Sequence, residues 1–247
     1  LLKFSGDPLS YLAQDPTVTE ADRFLLRAKL GLNDPIPLQY VHWLIGDNWY
    51  WRDIDGDGVV DEPGTRMGIL RGDLGESFRF RKSVNDVFAE HLPRTLMLAG
   101  TAYVVTVVFA LVIGVFAALR QYTIADNIIT GFSFITFSLP VFLLALILVQ
   151  VFAVEARKAG LPALPVSGLC DPRGDCSTDE VIRHLILPVL SLSLISIAGY
   201  SRYIRATMLE VINTDYVRTA RSKGLSENRI IFLHALKNAS LPLVTLI

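Results

Sequence analysis

An acidic segment in the first third of the chain could bind a cation. Within the sequence WRDIDGDGVVDEPG it contains the carboxylates of Asp53, Asp55, Asp57 and Asp61. Acids at alternate positions of a tight turn direct several oxygens at one hard cation, and Gly58 permits the sharp bend that such a turn needs. The segment 53–64 therefore matches the first nine positions of a calcium loop.

The last position of this loop departs from the calcium pattern. A bidentate Glu is expected at the twelfth position, where this chain has Gly64, so that a ligand would have to come from Glu62 or from elsewhere. The alternative is a solvated acidic turn without an ion. If calcium binds, we expect a structural role, because nothing in the segment indicates chemistry on a substrate.

The only two cysteines, Cys170 and Cys176, enclose the turn-forming sequence DPRGD. This spacing lets the two sulfur atoms meet, and we predict a disulfide, with two free thiols as the alternative. A zinc site is disfavoured because two cysteines without nearby histidine ligands do not make up a zinc ligand set.

The sequence contains none of the motifs of several large enzyme classes. It has no HExxH zinc-protease motif, no GxSxG motif and no GxxxxGK[ST] phosphate loop, so it cannot bind ATP by that route. A membrane-embedded enzyme would also need ionisable residues within its membrane spans, whereas the long apolar stretches of this chain carry no charged residue. We therefore expect no catalysis and no cofactor in this chain. A net charge of −1 without a basic patch gives no indication of a nucleic-acid partner.

Three long stretches of the sequence contain no charged residue, and each is a candidate membrane-spanning helix. A bilayer core of about 30 Å requires roughly 20 apolar residues in a helix. We predict an all-α polytopic membrane protein in a lipid bilayer, in which Pro140 kinks the second helix and the third continues past Arg202. The spans are placed at about 95–119, 127–152 and 184–206, with the start of another at about 238–247.

Residues 1–94 form a separate polar region with 11 Lys and Arg against 15 Asp and Glu. Their composition predicts a domain outside the membrane, ahead of a transmembrane domain at 95–247. One short helix is expected to start near Thr19 and to stop at Gly31, and a second is expected after Pro37.

The distribution of basic residues predicts the orientation in the membrane. Residues 202–240 carry seven Lys and Arg against three acids, which places them in the cytoplasm by the positive-inside rule. Counting back places the loop 155–184 outside, the link 120–126 inside and the domain 1–94 outside. An outside location favours the disulfide. An outside domain also requires an upstream element to export it, so we expect a fragment that lacks the first and last spanning helices.

The segment 215–240 has the pattern of two short helices joined by a turn. A helix is expected to break at Gly224, which allows a left-handed turn, and Ser226 is expected to accept a hydrogen bond from a free N–H of the next helix. That second helix, 227–236, is amphipathic. Such a pair forms a stiff element on which a partner can act.

This segment resembles the cytoplasmic EAA loop of permeases in binding-protein-dependent ABC importers, specifically the oligopeptide and dipeptide permease family. Arg218, Thr219 and Ala220 stand at the position of the EAA triplet, Gly224 matches the glycine of that loop, and 234–238 (HALKN) matches its later element. The sequences GDP, LGL, QY, GDLGES and LPRTL extend the resemblance over nearly the whole chain.

The resemblance implies a type I ABC importer permease fold, with a small α-rich extracytoplasmic domain between spans 1 and 2, in the cytoplasmic membrane. It implies transport of di- and oligopeptides; alternatives are nickel, glutathione or oligosaccharides and, in another class, a membrane sensor or receptor. The implied partners are two ABC ATPase subunits that hold ATP and Mg²⁺, a second homologous permease and an extracytoplasmic solute-binding protein. The coupling loop, 210–237, and the residues beside it then supply the ATPase-coupling residues Asp215, Arg218, Thr219, Ala220, Lys223, Gly224, Leu225, His234, Leu236 and Asn238.

Overall fold

The computed structural model describes Leu9 and residues 18–77, 79–171 and 176–240. The chain divides into two compact units, Leu1–Pro93 and Arg94–Ile247. Most of the predicted start of a further span, 238–247, lies outside the described residues.

The first unit contains two short helices where the sequence predicts them. Helix α1 (Glu20–Lys29) begins with a capping box, in which the Thr19 hydroxyl accepts from the backbone N–H of Asp22 and the Asp22 carboxylate accepts from the N–H of Thr19. Gly31, with φ +64°, follows its end. Helix α2 (Ile36–Ile45) has Pro35 at its N-cap and Pro37 in its first turn. Both predicted helices are present, although α2 begins at Ile36, ahead of Pro37 rather than after it.

The same unit also contains strands, so the expectation of an all-α chain holds only as a mostly helical one. Strands β1 (Trp51–Arg52) and β2 (Glu62–Pro63) form one antiparallel ladder, and β3 (Glu76–Ser77) and β4 (Lys82–Ser83) form another. The first ladder closes the acidic segment. The Asp- and Gly-rich turn folds the chain back on itself, and the two arms then pair through their backbones.

A buried polar network lies in the core of this unit. The Arg52 guanidinium contacts the carboxylates of Asp47 at 2.7 Å and Asp34 at 3.3 Å, and lies 3.1 Å from Nδ1 of His42. His42 and Asp47 are each 1% exposed. Burial lowers the pKa of His42, and the neighbouring Arg52 charge lowers it further.

The hydrophobic part of the chain is helical. Its elements are α3 (Val84–Leu119), α4 (Ile124–Ser138), α5 (Val141–Val149), a π-helical stretch (Gln150–Glu155), α6 (Ala156–Lys158) and α7 (Thr178–Ile212). Many large apolar side chains here are exposed, for example Val112 at 63% and Phe142 at 66%. Contiguous exposed apolar surface of this kind is typical of helices that face lipid.

Helices α3 and α7, with 36 and 35 residues, are each long and apolar enough to span a membrane. Helix α7 continues past Arg202 to Ile212, as its predicted length required. Helix α4 and the stretch Val141–Lys158 qualify only as a pair, and they are bent by 107°. The chain thus has two candidate spans among its described residues, or three if the bent pair crosses as one.

The second charge-free run is therefore broken at Pro140 rather than merely kinked there. Leu139 ends α4 in an extended conformation, with φ −84° and ψ 134°. Proline disfavours the helical conformation in the residue before it and has no N–H to continue the ladder, which together explain a full break.

Small residues allow α3 and α7 to approach closely. A Cβ atom placed on Gly114 would lie 2.7 Å from Cβ of Ile204 and 2.7 Å from the carbonyl oxygen of Ser201. Small side chains at helix interfaces are typical of membrane proteins because they let the two backbones pack directly. Beside this contact lies a buried cluster formed by Val115, Ala118, Ile204, Met208, Ala235 and Ala239.

Candidate functional site

We call residues 215–239 the hinged segment. It follows α7 and consists of α8 (Asp215–Ser222), a turn, α9 (Glu227–Arg229), a π-helical stretch (Ile230–Ala235) and α10 (Leu236–Ala239). The last three elements follow one another without interruption. The second helix is thus longer than the predicted 227–236 and contains a π turn, a feature frequent at functional sites.

Gly224 makes the turn between the two halves of the segment. Its φ is +77°, a left-handed conformation that costs residues with a Cβ roughly 1–2 kcal/mol. A Cβ atom at this position would meet nothing within 4 Å. The constraint on Gly224 is therefore its backbone conformation and not a lack of space.

An ion pair, rather than a hydroxyl cap, joins the two halves across the turn. Ser226 has the extended backbone of an N-cap residue, but its side chain makes no capping hydrogen bond, so that part of the prediction is wrong. Instead, the Arg221 guanidinium donates to both carboxylate oxygens of Glu227, at 2.9 Å and 3.3 Å. This bidentate pair ties the first residue of α9 to the last turn of α8.

The hinged segment has a hydrophobic core of its own. Val217, Ala220 and Ile230 are 0%, 7% and 1% exposed, and the partly buried Leu225 packs against them. Residues 217 and 220 lie on one face of α8 because they are three positions apart. Burial of a Val or Ile side chain contributes roughly 1.5–3 kcal/mol, so the two halves are held together as one packed unit.

The segment is also attached to the neighbouring helices. Ala235 and Ala239 are buried against Ile204 and Met208 of α7, and Leu236 packs against the same cluster. In addition, the Thr207 hydroxyl of α7 donates to the Ala239 carbonyl at 3.1 Å.

Most of the predicted coupling residues lie together on the hinged segment. Asp215 lies 3.6 Å from Arg218, and the Asn238 amide donates to the Tyr216 hydroxyl at 2.9 Å. A cavity of about 350 Å³ is lined by Tyr216, Thr219, Ala220, Lys223, Leu225 and His234. Five of the predicted residues thus line one cavity together with Tyr216, whereas Leu236 packs against the cluster formed with α7.

An ion pair between α4 and α7 was not found from the sequence. Arg205 donates to both oxygens of Asp126, each at 2.7 Å, and Asp126 is 1% exposed. The Tyr122 N–H adds a hydrogen bond of 3.0 Å to the same carboxylate. A lone acid and a lone arginine at the ends of apolar runs could have suggested this pair, because charges near membrane helices seek a partner.

The predicted calcium ligands are brought together only in part. Carboxylate oxygens of Asp53, Asp55 and Asp61 lie within 4.8 Å of one another, and Asp57 is not a member of this group. The carboxylates also accept hydrogen bonds from the loop itself. For example, the N–H groups of Gly56 and Gly58 donate to Asp53. The loop can thus hold its shape through its own donors, and calcium binding stays a prediction.

The structure joins Cys170 to Cys176 by a disulfide, with their Cα atoms 5.4 Å apart. Residues 172–175 between them lie outside the described residues.

Comparison with known proteins gives the family. Residues 110–247 match the family described as binding-protein-dependent transport system inner membrane component. This match covers α4, α5, α7 and the hinged segment.

Curated relatives match along almost the entire chain. The oligopeptide transport system permease protein AppB of Bacillus subtilis is 36% identical over 98% of this chain and 68% of its own length. The dipeptide transport system permease protein DppB of Escherichia coli is 31% identical over 98% of this chain and 70% of its own length. The di/tripeptide transport system permease protein DppB of Pseudomonas aeruginosa is 33% identical over 97% and 69%. The chain therefore belongs to the family of inner membrane components of binding-protein-dependent transport systems.

Proposed function

We propose that this chain is a transmembrane permease subunit of an ATP-driven peptide importer, and that its hinged segment receives the motion of the ATPase. The observation that carries the proposal is the construction of that segment. Two short helices share a core of Val217, Ala220 and Ile230, and are joined by the left-handed turn at Gly224. The chain is a transport component and not an enzyme, as its family membership shows.

The mechanism requires a stiff element with two arrangements that the nucleotide state of a partner can bias. The buried core of the segment supplies the stiffness, to which the exposed Arg221–Glu227 pair adds little. The packing of Ala235 and Ala239 against Ile204 and Met208 supplies the connection to the membrane helices. Closure of an ATPase dimer would then displace α7, and the permease would change between its outward-open and inward-open conformations.

The orientation that this mechanism needs is the one predicted by the basic residues. The hinged segment lies in the cytoplasm, residues 1–94 form an extracytoplasmic domain, and the disulfide loop lies outside. In this arrangement the chain has the type I importer fold, with the small extracytoplasmic domain between spans 1 and 2. The predominance of Lys and Arg in 202–240 supports this orientation.

Peptides are the proposed substrates because the relatives that match nearly the whole chain are named for oligopeptide, dipeptide and di/tripeptide transport. A binding-protein-dependent system also needs a solute-binding protein and a source of energy. We therefore propose an extracytoplasmic binding protein, a second homologous permease and two ATPase subunits as partners.

The test is uptake of a labelled peptide by the reconstituted importer in proteoliposomes. We expect Gly224→Trp to insert normally but to lose uptake while the ATPase remains active, because Trp cannot adopt φ +77° without strain. Gly100→Trp is the matched control. It places the same side chain in open space on a helix, at a glycine without a positive φ. Undiminished uptake by Gly224→Trp would contradict the coupling role.

A second experiment checks the orientation. With Cys170 and Cys176 replaced by serine, a single cysteine introduced as Ser222→Cys should react with a membrane-impermeant maleimide only after permeabilisation, whereas Val59→Cys should react in intact cells. Both parent residues are exposed, so access to the reagent depends on the side of the membrane. Labelling of Ser222→Cys in intact cells would place the hinged segment outside and exclude contact with a cytoplasmic ATPase.

A further inference from the structure

The cavity on the hinged segment is lined by hydrogen-bond donors and contains no carboxylate. Its lining, of Tyr216, Thr219, Ala220, Lys223, Leu225 and His234, comes from α8, the turn and the π-helical stretch. The polar groups of this lining are two hydroxyls, one ammonium and one imidazole. The cavity is a depression open to solvent, and its volume of about 350 Å³ lies at the small end of the range of about 300–1,000 Å³ for ligand pockets.

Several of these groups have donors left to give. The Tyr216 hydroxyl accepts from the Asn238 amide at 2.9 Å, so that its own O–H is free to donate. Lys223 carries three donors and no acceptor. Within the described ranges, no side-chain hydrogen bond or ion pair engages the Lys223 ammonium or the His234 ring. The complement to this lining is an acceptor with negative charge.

The two acids of the hinged segment do not supply that charge, because neither lines the cavity and each lies beside an arginine. Asp215 lies 3.6 Å from Arg218, and Glu227 accepts both hydrogen bonds of Arg221. Residues 215–239 carry five Lys and Arg against two acids, so a positive excess remains. We infer that the cavity receives one carboxylate side chain of the ATPase subunit, bound by Lys223 with Tyr216 and His234 as further donors. This inference rests on the proposed function, since it assigns the chemistry of the partner at the same segment.

A protein carboxylate fits this lining better than a lipid phosphate does. Arginine binds phosphate in bidentate geometry, whereas a lone lysine binds it only as a point charge without geometric specificity. No arginine lines the cavity, and Arg218 and Arg221 of the same segment contact Asp215 and Glu227. The lining offers one ammonium charge and two further hydrogen-bonding groups, a phenol and an imidazole. This set complements a carboxylate, which has a single negative charge and two oxygen atoms.

The test is the Kd between the detergent-solubilised permease and its purified ATPase subunit, measured without lipid. We expect Lys223→Glu to raise the Kd at least about 30-fold, as loss of a desolvated charge contact does. The matched control is Arg229→Glu, which makes the same charge change at another exposed cation that does not line the cavity. We expect it to change the Kd within about fivefold. Lys223→Gln should weaken binding in the same direction by less.

The outcomes separate this inference from the proposed function. Recovery of the Lys223→Glu affinity by an Asp→Lys or Glu→Lys change on the ATPase would identify the acid that occupies the cavity and support the inference. Equal losses in Lys223→Glu and Arg229→Glu would overturn it, while the proposed function would stand. A Lys223→Glu defect that appears only with phosphatidylglycerol present would assign the cavity to a lipid headgroup and also overturn it. If the wild-type permease does not bind the ATPase at all, the proposed function itself fails.

Discussion

The ion pair between Asp126 of α4 and Arg205 of α7 can be tested by removing the charge of Asp126. In Asp126→Asn, Arg205 loses its carboxylate partner, to which it donates two hydrogen bonds of 2.7 Å. Loss of one partner of a buried ion pair costs about 3–5 kcal/mol because the remaining charge is uncompensated. The Asp126 side chain is 2% exposed, but that of Arg205 is 25% exposed, so that water can partly hydrate the arginine. We therefore expect a destabilisation near the lower limit, about 3 kcal/mol.

The measurement is thermal unfolding of the purified protein in detergent micelles. For a chain of this size each kcal/mol of destabilisation lowers the midpoint of thermal unfolding by about 2–4 °C, so the midpoint of Asp126→Asn should fall by roughly 6–12 °C. Asp215→Asn is the matched control. That aspartate also lies in the first turn of a helix beside an arginine, but its side chain is 97% exposed. Exposed pairs contribute about 0–1 kcal/mol, so its midpoint should hardly move.

A double-mutant cycle separates the ion pair from other effects of the substitution. The double variant Asp126→Asn with Arg205→Met removes both charges, and no unpaired charge is left. We expect it to be more stable than the sum of the two single variants predicts, by up to about 3 kcal/mol. The reasoning is refuted if Asp126→Asn costs no more than Asp215→Asn, or if the two single effects simply add.

Three further predictions concern the parts outside the spans. The N–H groups of Met67 and Gly75 donate to Asp73 and lower the pKa of its carboxyl below the ordinary value of 3.8. The stabilisation from this carboxylate is therefore complete above a pH of about 4 and is lost as the pH falls through the lowered pKa. In Asp73→Asn the free energy of unfolding should therefore decrease less steeply with falling pH than in the wild type. For the disulfide, alkylation before and after reduction should change the mass by two labels; a protein that is fully alkylated without reductant has free Cys170 and Cys176. For calcium, titration calorimetry of the detergent-solubilised chain should give binding heat at millimolar calcium that Asp53→Asn abolishes, and the absence of heat would leave the loop as a solvated acidic turn.

The local parts of the structure could be predicted from the sequence. The start of α1 follows from Thr19 and Asp22, whose side chains can reach only nearby backbone groups. The charge-free runs likewise indicated the long helices, because a bilayer requires this composition. The turn at Gly224 was predictable because few other residues tolerate its conformation.

The features that depend on tertiary contacts could not be predicted in the same way. The partners Asp126 and Arg205 are 79 positions apart, and Tyr216 and Asn238 are 22 apart, so no helical spacing relates them. The capping role expected of Ser226 is not seen. Its hydroxyl makes no capping hydrogen bond, and the contact across the turn is instead the ion pair of Arg221 with Glu227, six positions apart.

The positions of these contacts along α7 indicate how motion of the hinged segment would reach the bundle. Ile204 is 0% exposed and lies in the cluster with Ala235 and Ala239, while the next residue, Arg205, holds Asp126 at the start of α4. One turn of α7 therefore contacts the hinged segment through apolar packing and α4 through an ion pair. Because the packed contacts resist compression, a displacement of the segment should move α4 together with α7. In the importer proposed above, we expect Asp126→Asn to weaken this connection, so that ATP hydrolysis proceeds with less uptake per ATP, even at temperatures where the variant remains folded.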